Sequence, residues 1–147
     1  MRTPQIVLVE DDEVDAKLFK RALAKQANGT RIQVLNDGQQ AVDTLLDDKV
    51  KPEAVPKLIV LDIKLPRLLG FDVLERLRQD ERTANVPVVM LSSSTQQTDV
   101  ERAYALGANG YISKPSTFSQ LSELVEHLAG YWLKYNTVPV AQRLNGS

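Results

Sequence analysis

The sequence predicts an α/β fold, a doubly wound five-stranded parallel sheet covered by helices on both faces, and three observations carry that prediction. Five short runs, most of them rich in Val, Ile and Leu, are too brief for helices and suit strands buried on both faces. Amphipathic helical stretches alternate with them, and such alternation joins parallel strands by right-handed crossovers. Four of the runs lead directly into polar residues: Glu10 and Asp11, Asp62, Ser92, and Lys114.

The elements follow in order. Ile6–Val9 is the first strand, and Glu10-Asp11-Asp12-Glu13 leads into a helix whose stripe is Val14, Leu18, Phe19, Ala22 and Leu23. Asp11 or Asp12 can cap that helix, at the end where carboxylates also meet the positive pole of the dipole. Asn28-Gly29 stops it. Residues 31–35 read as the second strand, Asn36-Asp37-Gly38 as a turn, and 39–47 as the second helix. Residues 47–57 hold two prolines and many charges and form a loop. The third strand, 58–62, ends on a carboxylate; 65–70 is a loop, and Phe71, Leu74 and Leu77 mark the third helix. The fourth strand, 86–91, closes on Ser92-Ser93-Ser94. A fourth helix runs to Leu106 with Gly107 as its stop, and Gly110–Ser113 is the fifth strand. Thr117 and Gln120 have capping-box spacing at the head of a last helix striped by Phe118, Leu121, Leu124, Val125, Leu128 and Trp132. Pro139 ends the ordered part, and Asn145-Gly146-Ser147 is expected to be loose.

The totals narrow the function. The 147 residues, 43% hydrophobic and 25% charged, fit one globular domain. A net charge of −1 provides no bulk attraction for nucleic acid. The absence of cysteine removes disulfides, thiolate zinc sites and cysteine nucleophiles together. Met1-Arg2-Thr3-Pro4 does not open a signal peptide, and no segment approaches the roughly 20 apolar residues of a membrane span. The expected setting is the cytoplasm, with neither nucleic acid nor membrane as partner.

In a parallel sheet of this kind, ligands bind beyond the carboxyl ends of the strands. The four polar strand ends are therefore expected to meet. Taken singly, each has a plain explanation: Asp11 a helix cap, Asp62 a turn, Ser92 a cap for the fourth helix, Lys114 a surface charge. Together they form a set. Three converging carboxylates raise one another's pKa unless neutralised, and Mg²⁺, which prefers oxygen ligands and retains waters, does that. An oxygen nucleophile, a cation, a lysine and a hydroxyl are the parts of phosphoryl transfer, where catalysis is mainly positioning and electrostatics. An aspartate nucleophile gives an acyl phosphate.

The motifs Val9-Glu10-Asp11-Asp12, Leu61-Asp62-Ile63-Lys64-Leu65-Pro66 with Gly70, Leu91-Ser92-Ser93, and Gly110-Tyr111-Ile112-Ser113-Lys114-Pro115 occur in an order and spacing that resembles the receiver domain of two-component response regulators. The resemblance implies a flavodoxin-like (βα)5 fold with strand order 2-1-3-4-5, a receiver domain over 1–136 and a tail over 137–147. It implies that Asp62 accepts a phosphoryl group from a phosphohistidine of a sensor histidine kinase. It implies Mg²⁺ (or Mn²⁺) held by Asp11, Asp62 and the backbone carbonyl of Lys64, with Glu10 acting mostly through water. Ser92, with Ser93 beside it, would bind the phosphoryl group, Lys114 would pair with it, and Tyr111 would be the aromatic switch. The Lys114-Pro115 bond is expected to be cis. Lys64 occupies a position where other residue types are frequent, and with Ser94 it is expected to tune dephosphorylation. Such a protein is no enzyme beyond its own phosphorylation and dephosphorylation.

The stretch from Tyr131 to Pro139, with the proline-bearing insertion before the third strand, resembles the stand-alone response regulators of bacterial and cyanobacterial phytochromes. That likeness implies a phytochrome-type kinase partner and a homodimer through the fifth helix and its extension. Tyr131, Trp132 and Tyr135 extend the apolar stripe past the sheet, as interface aromatics do. Eight residues follow Pro139, so no output domain is expected. Two other readings remain: a phosphorylation-independent dimeric scaffold, and, more distantly, a phosphohydrolase of the haloacid dehalogenase type, whose nucleophile would lie at the first strand.

Overall fold

The structure, a computed structural model, describes residues 4–26, 29–51 and 54–139. Five strands and five α-helices alternate: β1 Ile6–Val9, α1 Glu13–Gln26, β2 Ile32–Leu35, α2 Gly38–Leu45, β3 Leu58–Leu61, α3 Gly70–Gln79, β4 Val88–Ser92, α4 Gln97–Ala105, β5 Gly110–Ser113 and α5 Phe118–Leu128. A π-helical segment, Ala129–Tyr135, continues α5. The sheet order is β2-β1-β3-β4-β5, all pairs parallel, as expected. Asn28, within the expected stop of the first helix, and Asn145-Gly146-Ser147 lie outside the described residues.

Because side chains alternate across a strand, each central strand feeds two cores. Val7, Val9, Ile59, Leu61, Val88 and Met90 point to the face covered by α2, α3 and α4. Ile6, Leu8, Leu58, Val60, Val89 and Leu91 point to the face covered by α1 and α5. β1, β3 and β4 are buried throughout, while the edge strands β2 and β5 are largely half-buried. The central strands are thus fixed from both sides, and so are the residues that leave their carboxyl ends.

Several expected boundaries are refined. Asp12, not Asp11, caps α1: its Oδ1 accepts from the N–H groups of Val14 and Asp15 at 2.9 and 3.0 Å. Ser92 is the last residue of β4 rather than the start of a loop. It pairs with Ser113, and its carbonyl accepts from the Lys114 N–H at 2.9 Å. Thr117 caps α5 through the Gln120 N–H at 3.1 Å, but the Gln120 side chain turns to Ser116, so only half of the capping box forms on Thr117. The Lys114–Pro115 bond is trans, contrary to expectation, since no cis peptide occurs among the described residues. Trans is the isomer favoured for X-Pro by about 0.5–1 kcal/mol.

Trp132 lies where the apolar stripe of α5 points. It is half-buried against the α1/α5 core, with its ring edge-on to Tyr131 at 4.8 Å. A large apolar ring gains most by covering its own domain. Tyr131 and Tyr135 stay exposed, at 53% and 71%.

At the amino ends of the strands two arginines bind the loops together. Arg78 donates through Nε to the Gly107 carbonyl at 2.9 Å, through Nη1 to those of Thr83 and Val86 at 3.1 and 2.9 Å, and through Nη2 to Asn109 Oδ1 at 2.9 Å. Arg82 pairs with Asp80 and donates to the carbonyls of Asp47, Val50 and Leu46 at 2.7, 2.8 and 3.2 Å. The segment over 46–50 is therefore anchored to the C-terminal end of α3. Burial lowers the Arg78 pKa, and the Arg82 hydrogen bond holds the Asp80 carboxyl below its usual range.

Candidate functional site

The carboxyl ends of β1, β3 and β5 bring their polar residues together. Lys114 Nζ, just past β5, lies 2.6 Å from Glu10 Oε1 and 3.0 Å from Asp62 Oδ2. Glu10 is buried, and the Asp62 side chain is only 9% exposed. The other oxygen of Asp62, Oδ1, accepts from the Ile63 N–H at 2.7 Å, which fixes the carboxylate. The turn after Asp62 closes tightly, because Gly70 N–H donates to the Ile63 carbonyl at 2.8 Å. A side chain at position 70 would strike the Asp62 carbonyl oxygen, so glycine lets α3 begin against the strand end.

Glu10, Asp11 and Asp62 each offer a carboxylate oxygen within 4.8 Å of the others. Asp11 is exposed, since Asp12 has taken the capping role. The donors are all hard oxygens, one of them open to solvent, and this suits Mg²⁺ or Mn²⁺ rather than a metal that wants nitrogen or sulfur. The electrostatics agree. Burial raises the Glu10 pKa and Asp62 adds to the rise, while hydrogen bonds from Lys114 and the Asp12 N–H oppose it. Burial disfavours the charged Lys114, but its hydrogen bonds to Glu10 and Asp62 outweigh that and raise its pKa. One ammonium thus serves several carboxylates, and the cluster has room for more positive charge.

Ser92, at the end of β4, is fully buried, and its Oγ accepts from the Ser94 N–H at 3.2 Å. Ser94 is a junction. Its carbonyl accepts from the Tyr111 hydroxyl at 2.9 Å, and its Oγ donates to Asp99 on α4 at 2.5 Å. Tyr111 and Ser92 are therefore linked through one residue. Ser93 and Lys64 are exposed, and Tyr131, Trp132 and Tyr135 lie on the π segment at the end of the fold. The sequence reading missed Asp15. Its Oδ2 lies 3.3 Å from Lys114 Nζ, making it the third carboxylate on that ammonium. No signal in the sequence singled it out, since an acid in the first turn of a helix is the ordinary complement to the dipole.

A parallel sheet with an acidic cluster and a lysine at its carboxyl edge defines a class, and the chain belongs to it: it is a member of the response regulator receiver domain family, which it matches over residues 6–126. Receiver-domain response regulators are signalling proteins. Within the family the chain is 31% identical over 137 residues to the response regulator Rcp1 of Synechocystis, covering 92% of this chain and 93% of that protein. It is 37% identical over 134 residues to a probable methanogenesis regulatory protein, FilR2, of Methanothrix harundinacea, covering 91% and 86%. Its structure matches that of the phosphorylated cyanobacterial phytochrome response regulator RcpA with a TM-score of 0.84 at 34% identity, over 93% of this chain and 99% of that one. Rcp1 has also been crystallised with Mn²⁺ bound; there the TM-score is 0.80 at 30% identity, over 92% and 99%. Among the described residues no helix is long and apolar enough to cross a membrane.

Proposed function

We propose that this chain is a cytoplasmic phosphorylation switch in which Asp62 accepts a phosphoryl group from the phosphohistidine of a sensor kinase. The observation that carries the reading is the bridge from Lys114 Nζ to both Asp62 and Glu10. In the transfer an Asp62 oxygen forms the new P–O bond, the P–N bond to the donor imidazole breaks, and the electron pair leaves on that nitrogen. Ile63 N–H and Lys114 hold the carboxylate in place, and Lys114 then pairs with a phosphoryl oxygen. Glu10, Asp11, Asp62 and the Lys64 carbonyl would hold Mg²⁺, which supplies charge neutralisation when bound.

Phosphorylation adds charge at Asp62 and recruits the Ser92 hydroxyl, with Ser93 beside it. That movement releases Ser94, and with it Tyr111 and α4, since all three share hydrogen bonds. The surface of α4, β5 and α5 carries the signal to a partner. Lys64 and Ser94 set the dephosphorylation rate: Lys64→Asn is expected to change the phosphoryl half-life, and an unchanged half-life would remove Lys64 from that role. The likeness to Rcp1 and RcpA supports a phytochrome-type kinase as donor. The exposed Tyr131 and Tyr135, with Trp132 as their backing, form a homodimer interface. Replacing both tyrosines by Ser is expected to shift the protein toward monomer in analytical ultracentrifugation; an unchanged mass would place the interface elsewhere.

The test of the function is incubation with acetyl phosphate and Mg²⁺ followed by intact mass. One phosphoryl group gained by the wild type and none by Asp62→Asn is the expected result. No gain in the wild type would leave a phosphorylation-independent scaffold.

A further inference from the structure

Lys114 carries three ammonium protons and meets three carboxylates: Glu10 at 2.6 Å, Asp62 at 3.0 Å and Asp15 at 3.3 Å. Two of these belong to the oxygen cluster that suits a cation. Asp15 does not. It reaches the lysine from the first turn of α1, with its side chain 45% exposed.

The lysine side chain is largely covered, 21% exposed, and borders a cavity of about 140 Å³ between α1 and α5 whose lining includes Asp15, Leu18, Phe118 and Leu121. A flexible lysine stem beside such a space has more than one rotamer open to it, and the three ion pairs select the one that sets the ammonium over Asp62.

We propose that Asp15 is a positioning residue that holds Lys114 over Asp62, acting through the ammonium and touching neither the phosphoryl group nor the cation. The inference rests on the phosphoryl-acceptor reading of Asp62. A cation drawn to Glu10 and Asp62 competes with the lysine for their oxygens, whereas Asp15 stands outside that oxygen cluster and stays on the ammonium. Asp15 therefore keeps Lys114 in place while the cation binds, ready to meet a phosphoryl oxygen.

Two measurements on the full chain test this. The first is the ¹⁵N order parameter of the Lys114 ammonium, recorded without cation or phosphodonor in the wild type, Asp15→Asn and Asp15→Glu. The second is the rate of phosphoryl gain from acetyl phosphate, measured in the same proteins and again with Lys114→Gln added. Asp15→Asn is expected to lower the order parameter and to slow phosphorylation by about two- to fivefold, the range of a partly exposed charged contact. Asp15→Glu is expected to restore much of both, and in the Lys114→Gln background Asp15→Asn is expected to change nothing further. An unchanged ammonium in Asp15→Asn, or the same slowing with and without Lys114, would overturn the proposal. If the wild type gains no phosphoryl group, the acceptor reading fails by itself, and the ammonium measurement still decides whether Asp15 places the lysine.

Discussion

At the carboxyl ends of the strands one lysine is shared among Glu10, Asp62 and Asp15, whereas at the amino ends two arginines are surrounded by backbone carbonyls. The first edge gathers more negative charge than its lysine offsets. Burial works against Glu10 there, and the arrangement suits a bound cation. The second edge has its charges satisfied internally, which holds the loops feeding β3, β4 and β5. The difference separates an edge with negative charge left to offset from an edge whose charges are met internally. Substitutions at the two edges should therefore fail in different assays.

The largest contrast comes from Asp62→Asn. It is expected to abolish phosphoryl gain while changing unfolding stability by no more than about 1 kcal/mol, because losing the Lys114 contact is offset by relief of repulsion with Glu10. Urea denaturation beside intact mass checks both halves, and a large loss of stability would erase the contrast. Arg78→Ala is the converse: an expected cost of about 2–3 kcal/mol, from the part-buried carbonyls of Gly107 and Val86 losing their Arg78 donor, with a phosphorylation rate within about twofold of wild type. Arg82→Ala should cost less, about 2 kcal/mol, since its pair with Asp80 is nearer the surface. Protease nicking within 47–57 should rise with it, because that loop loses its anchor.

The smallest effect is a pH dependence. The Asp80 carboxyl lies below its ordinary value of 3.8 in the folded protein, chiefly through the Arg82 hydrogen bond. A depressed folded pKa gives stability that is present above the unfolded value and lost as pH falls through the folded one. The stability gap between wild type and Arg82→Ala should therefore be constant above about pH 4 and narrow below it. A gap that widens on acidification would have the wrong sign.

The reactive edge was far more legible in the sequence than the inert one. Buried parallel strands leave short apolar runs, and topology alone sends the residues after them to one place; Glu10, Asp62 and Lys114 meet there as the runs implied. Asp15 was not legible, because an acid in the first turn of a helix reads as dipole complement or solvent face. Arg78 and Arg82 were not legible either. They follow an amphipathic stripe at its C-terminal end, where basic residues are ordinary, and their carbonyl partners come from loops that have no side-chain pattern. The aromatic stripe did not show how the helix would continue past Leu128. The π-helical turn over Ala129–Tyr135 lays Trp132 and Leu133 on the core and leaves Tyr131 and Tyr135 outside.

The central claim is that the crowded carboxyl edge exists to make Asp62 an acceptor. Acyl phosphates are reduced by borohydride, which converts the modified aspartate to homoserine and leaves free carboxylates unchanged. Treating the acetyl-phosphate-loaded protein with borohydride and mapping homoserine by peptide mass spectrometry is the most direct test. Homoserine at position 62 alone, dependent on Mg²⁺, is the predicted result; homoserine at position 11 or 15, or none at all, would contradict it.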